Sequence, residues 1–97
     1  MKTRQYFDAK WTVLNIGLKT WDIHAVDVRL ISYRGGATMH TAGELFDLPV
    51  QTAPNRKITI LVDMTTPKNP GYYDETWGLF EGGTLFCQFS MDISVTK

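Results

Sequence analysis

The sequence predicts an all-β domain built as an antiparallel β-sandwich. Three observations carry that prediction. Apolar residues recur at every second position in five separate segments. No segment sustains apolar residues at helical spacing. Glycine, proline and asparagine punctuate the chain at regular intervals, leaving no room for crossover helices. The 97 residues support one domain, residues 1–97, whose core needs no metal or disulfide staple.

The first segment has Trp11 and Val13 on one face and Thr12 and Leu14 on the other, and it runs into the turn Asn15-Ile16-Gly17. In the second, Val26, Val28 and Leu30 alternate with Asp27, Arg29 and Ile31, and Arg34-Gly35-Gly36 closes it. The stretch from Ala42 to Leu48 comes nearest to a helix and is stopped by Pro49. Ile58, Ile60, Val62 and Met64 form the third alternating set, after the turn Ala53-Pro54-Asn55. Lys68-Asn69-Pro70-Gly71 leads to the fourth, where Tyr73, Glu75, Trp77 and Leu79 oppose Tyr72, Asp74, Thr76 and Phe80. The fifth is the strongest: Leu85, Cys87, Phe89, Met91, Ile93 and Val95 point inward, with Phe86, Gln88, Ser90, Asp92 and Ser94 outward. Between the last two segments, Gly82-Gly83 can supply the positive φ angles of a two-residue hairpin. Six or seven short strands so spaced must stack as two sheets, each burying its apolar face against the other.

Composition narrows the function classes. Ten basic residues balance ten acidic ones and no charge run stands out, so nothing marks a nucleic-acid or anionic-membrane footprint. The hydropathy pattern gives no signal peptide and no apolar run near the roughly 18 residues of a membrane span, so no direct membrane insertion is expected. Met1 stands ten residues before Trp11, and we expect it to be an initiator added to a domain excised from a longer chain. Cys87 is expected to be reduced and buried, from its inward phase.

Chemistry is sparse. His24 and His40 are expected as solvated loop histidines, and no ligand spacing joins them to Asp22, Asp27 or Glu44, so no metal site or cofactor is assigned. Asp74 and Glu75 are adjacent on a strand and face opposite sides, which rules them out as a paired acid and base. No nucleophile elbow or phosphate loop occurs, and the chain is expected not to be an enzyme. Aromatic residues remain. Trp11 and Trp77 keep phase with Val13 and Leu79 and are expected in the core, whereas the burial of Trp21 is undecided. The expected contact surface is the solvent face carrying Tyr72, Asp74, Phe86 and Gln88, with the loop around Trp21; a glycan platform would use Trp21, Tyr72 and Phe80.

The run W-T-V-L-N-I-G-L-K-T-W at Trp11–Trp21 resembles the W-x-(L/V)-x-N-x-G-x-x-x-W signature of the four-tryptophan, or FW, domain. That Ig-like domain occurs centrally in the autophagy receptor neighbour-of-BRCA-one and in bacterial envelope proteins. Leu48–Leu79 and Leu85–Val95 are similar to the family's later landmarks, in order, including Pro70-Gly71-x-Tyr73-x-x-x-Trp77. Three positions depart from the pattern. Ser90 falls where the fourth tryptophan would stand, Cys87 replaces a glycine, and Pro54-Asn55-Arg56 replaces Pro-Gly-Glu, with Asn55 able to take the left-handed conformation.

The resemblance implies an Ig-like sandwich of about seven strands, in which Trp11, Asn15, Gly17, Trp21, Pro70, Gly71, Tyr73 and Trp77 are mainly structural. It also implies a non-catalytic module that binds proteins or spaces other domains, closest to the bacterial extracytoplasmic members. The alternatives are a carbohydrate-binding module and a cargo-binding domain like that of the autophagy receptor.

Overall fold

The computed structural model describes residues 2–41 and 43–96. Met1, expected as an added initiator, lies outside the described residues, as do Lys97 and Ala42, the first residue of the helix-like stretch. Among the described residues there are six strands and no helix. β1 (Tyr6–Leu14) pairs antiparallel with β4 (Lys57–Thr65), so that Ala9 meets Val62 and Trp11 meets Ile60. The second sheet has the order β3-β2-β5-β6, from β2 (Val26–Arg34), β3 (Leu45–Asp47), β5 (Gly71–Glu81) and β6 (Thr84–Val95), also antiparallel.

The period-two residues explain why the sheets stack. Val26, Val28, Ile58, Ile60, Val62, Met64, Tyr73, Trp77 and Leu79 are all buried in one core, joined by Met39 and Leu48 from the connections. Six strands stand where about seven were expected. The stretch around Thr52 pairs with Trp21 through a single two-way bridge, Trp21 N–H to the Thr52 carbonyl at 2.8 Å and Thr52 N–H back at 3.0 Å. Pro49 and Pro54 flank that stretch and remove the backbone donors that a longer ladder would need. Within Ala42–Leu48, the helix-like stretch, the structure has β3 at Leu45–Asp47.

The β5–β6 hairpin closes on Gly82 and Gly83 at φ +58° and +84°, and Asn55 adopts φ +65°, as the sequence predicts. One feature of this hairpin reverses an expectation. Leu79 is opposite Cys87 and Phe80 is opposite Leu85, so Phe86 is an extra residue, a β-bulge. A bulge shifts the side-chain phase by one. Leu85, expected inward, therefore lies on the outer face, 2.5 Å from where a Cβ on Gly78 would stand, and only glycine fits there. Cys87 and Trp11 are half-buried rather than enclosed. Trp11 sits at the seam between the sheets, donates from Nε1 to the Ser90 carbonyl (3.1 Å), and packs on Phe89 with ring centroids 4.7 Å apart. A seam residue has core on one side only, which period-two counting cannot distinguish from enclosure.

Candidate functional site

The loop after β1 is built on Asn15. Its side chain is fully buried and fully bonded: Nδ2 donates to the carbonyls of Lys19 (2.9 Å) and Thr52 (3.0 Å), and Oδ1 accepts from Gly17 N–H (3.0 Å). The backbone around it is pinned too, Asn15 N–H to the Arg56 carbonyl and Asn55 N–H to the Asn15 carbonyl. An asparagine amide suits this place because it both donates and accepts, replacing strand hydrogen bonds where the chain turns away from a ladder. The consequence is a firmly held loop whose two aliphatic side chains face water, Ile16 at 83% and Leu18 at 99% exposure.

Beside that loop, Trp21 and the bulged Phe86 come together with ring centroids 5.5 Å apart and planes at 55°. They wall a cleft of about 490 Å³ lined also by Gly17, Leu18, Lys19, Glu81 and Thr84. A second cleft, of about 280 Å³, shares Gly17, Trp21 and Phe86 and reaches Leu14 and Cys87. Trp21 is thus half-buried, held at Thr52 by its backbone and open to solvent on the cleft side.

The remaining expected contact residues do not gather there. Phe86 leaves the outer face of the large sheet through the bulge, while Gln88 stays on it, opposite Gly78. Tyr72 is 83% exposed at the start of β5, eight positions from Phe80, a separation of about 27 Å along a strand. Asp74 faces outward beside Arg34, 3.6 Å away. Phe80 lies under the Arg29 guanidinium, 5.1 Å from ring centroid to Cζ. Trp21, Tyr72 and Phe80 therefore do not form one platform. Among the signature residues, Trp77 is fully enclosed, Tyr73 is buried with its hydroxyl donating to the Asn69 carbonyl (2.7 Å), and Pro70 and Gly71 shape the entry to β5.

A second polar cluster overturns the expectation for His40. His24 is exposed in its loop, but the His40 side chain is only 7% exposed. Its Nδ1 lies 3.1 Å from Glu75 Oε1 and its Nε2 lies 3.1 Å from Glu44 Oε1. Glu75 faces inward, as its phase requires, and is fully buried. Its Oε2 accepts from the backbone N–H groups of Met39 and His40, and its Oε1 accepts from Trp77 Nε1 at 3.1 Å. A buried carboxylate with this many donors is satisfied, and it fastens the 39–41 segment to the large sheet. That segment also bonds β4, Thr65 N–H to the Met39 carbonyl and Thr41 N–H to the Asp63 carbonyl, so it ties the two sheets together. Sequence reasoning missed this cluster. The signal available was Glu75 itself, an acid in an inward apolar set.

Cys87 and Asp8, away from that cluster, have displaced ionisation. Burial pushes the half-buried Cys87 thiol up, against a smaller opposing pull from a backbone hydrogen bond at Gln88. Asp8 is held above the ordinary carboxylate value by its hydrogen bond to Asp63 across the β1–β4 ladder, with a little burial and the like charge of Asp63 adding to it. Among the described residues no three His, Cys, Asp or Glu side chains assemble as metal ligands, and both His40 nitrogens already face carboxylates.

The family model described as the Ig-like domain from next to BRCA1 gene covers residues 1–95. No curated protein and no solved structure matches the chain.

Proposed function

We propose a function from one premise: the chain belongs to the family of the Ig-like domain from next to BRCA1 gene. Ig-like domains are generally non-catalytic and generally mediate protein interactions through their loops and faces. Our reading is a protein-interaction module of a bacterial cell-envelope or secreted protein, extracytoplasmic and of the four-tryptophan type, carried within a longer chain. Its contact residues are Trp21 and Phe86, with Leu18 beside them; Gln88 borders them on the outer face.

The observation that carries this reading is the Asn15-anchored loop. That loop holds Ile16 and Leu18 in water beside the Trp21 and Phe86 rings, so aliphatic and aromatic groups are presented together at one place on the surface. Apolar groups so presented mark a contact surface. The glycan alternative has less support, since sugar platforms use coplanar rings and the Trp21 and Phe86 planes meet at 55°.

Arrays of extracytoplasmic proteins and of glycans, probed with the purified chain, test the proposal. Protein binding that Trp21→Ala abolishes, that Tyr72→Ala leaves intact and that weakens little between low and moderate salt is the expected result. Glycan binding, binding that collapses with salt, or hydrolysis of an arrayed substrate would overturn it.

A further inference from the structure

The surface that presents Leu18 also contains a place to put it. Leu18 stands on the rim of the cleft walled by Trp21 and Phe86, and almost nothing of it touches the rest of the chain. Projection and cleft are side by side on one patch. That is the requirement for an isologous contact, in which one surface must offer both shapes to a copy of itself. A two-fold axis through the rim would seat Leu18 of each copy in the cleft of the other, and about 490 Å³ is room enough for a leucine side chain.

Charge agrees with this arrangement. The same cleft carries Lys19 and Glu81, one of each sign. A two-fold axis between them sets Lys19 of one copy against Glu81 of the other, twice. The chain has a formal net charge of zero, so two copies meet without overall repulsion. A lipid surface fits less well, because Glu81 on the rim would enter the headgroup region beside the apolar tip.

We infer that the chain associates with a second copy of itself through the Leu18 loop and the Trp21–Phe86 cleft. The inference rests on the reading of this end as a contact surface and goes beyond it by naming the occupant. Seven residues line the cleft, against roughly 20–30 a side in a standard interface, so the dimer is weak, with a dissociation constant on the order of 10–100 µM.

Sedimentation velocity from roughly 5 µM to roughly 1 mM, a range that brackets such an affinity, tests it. The weight-average mass should climb from monomer toward dimer. Leu18→Asp should weaken association by at least about tenfold while leaving the thermal unfolding curve unchanged, since Leu18 is 99% exposed. Lys19→Glu alone puts Glu against Glu81 at both contacts, and Glu81→Lys alone puts Lys against Lys19. Each should therefore stay monomeric, whereas an equimolar mixture of the two restores opposite charges at both contacts and should dimerise. A wild-type chain that is monomeric across the range overturns the inference, as does a dimer that survives Leu18→Asp. Flotation of a monomeric wild-type chain with phosphatidylcholine–phosphatidylserine vesicles, lost in Leu18→Asp, overturns it in favour of a membrane surface. A monomeric chain that still captures an arrayed protein through Trp21 overturns self-association alone; one that neither dimerises nor binds any arrayed protein removes the interaction-module reading as well.

Discussion

Asn15 and Glu75 are both buried to zero exposure, and each fastens a connection that no ladder holds. Asn15 pins the loop after β1, and Glu75 pins the 39–41 segment. Their chemistry differs. The amide both donates and accepts, so it closes its loop with three neutral hydrogen bonds and asks nothing of its neighbours' ionisation. The carboxylate can only accept, so donors must converge on it from Met39, His40 and Trp77. The neutral anchor lies beneath the surface that meets solvent, and the ionisable one lies in the core with a histidine and a second carboxylate in line. A polar anchor in the core makes folding depend on that cluster, whereas one under an exposed loop fixes local shape.

The largest effects should come from the Glu75 side. Glu75→Ala leaves the N–H groups of Met39, His40 and Trp77 without their acceptor, and unfolding in denaturant should show a loss of about 3–5 kcal/mol, since each buried donor left unmet costs about 1–3 kcal/mol. Trp77→Ala, a core deletion next to the same carboxylate, should cost a similar amount, about 3–5 kcal/mol. A loss under about 1 kcal/mol for either would mean that the cluster is not structural. Asn15→Ala should cost less, about 1–3 kcal/mol for the partners left unmet. Its exchange signature should also be local, with Gly17 and Trp21 amides losing protection while β5 and β6 keep theirs. Global loss of protection in Asn15→Ala would erase the distinction between the two anchors.

Two smaller effects sharpen the comparison. Burial raises the Cys87 thiol, so alkylation near pH 8 should run several-fold slower than for the unfolded chain, because less thiolate is present. Equal rates would place Cys87 in open solvent. The smallest effect belongs to an exposed pair of like groups. Asp8 is raised above 3.8 by Asp63. The relative stability tied to its proton is fully present below that value and is lost as pH rises through the raised one. Asp8→Asn should therefore raise the melting temperature slightly at neutral pH, with the gain fading on acidification through the carboxylate range. A gain that persists at pH 3 would contradict the like-charge account.

How much of this was legible in the sequence differs by element. The alternation in 58–64 and 73–79 places those side chains on the face the structure buries, and Gly82-Gly83 specifies the hairpin turn. Asp74 and Glu75 fall on opposite faces, as period two requires. The contact site was legible only in part. Trp21 and Phe86 both stood among the candidates, but they were assigned to a loop and to a sheet face. Their meeting depends on the bulge opposite Leu79–Phe80, which no alternation pattern announces. Tyr72 and Asp74, grouped with Phe86 by strand phase, lie at the far end of β5, while Phe80, opposite Leu85 at the near end, is covered by Arg29 on the outer face.

The sequence by itself determined the all-β class, the inward sets and the turns, because each depends on residues within a few positions of one another: pleat period, positive-φ requirements and missing proline donors. It also determined that Glu75, if folded inward, had to find donors. Tertiary structure alone decided which donors. The ones that answer are His40 and Met39, 35 and 36 positions earlier, brought there by the β2–β5 pairing and the crossing of the 39–41 segment. The same holds for Asn15 and Thr52, 37 positions apart. A side chain's local period fixes the direction in which it points. Which group waits there is set by loop closure and packing over the whole chain, and that information is not local to any stretch of it.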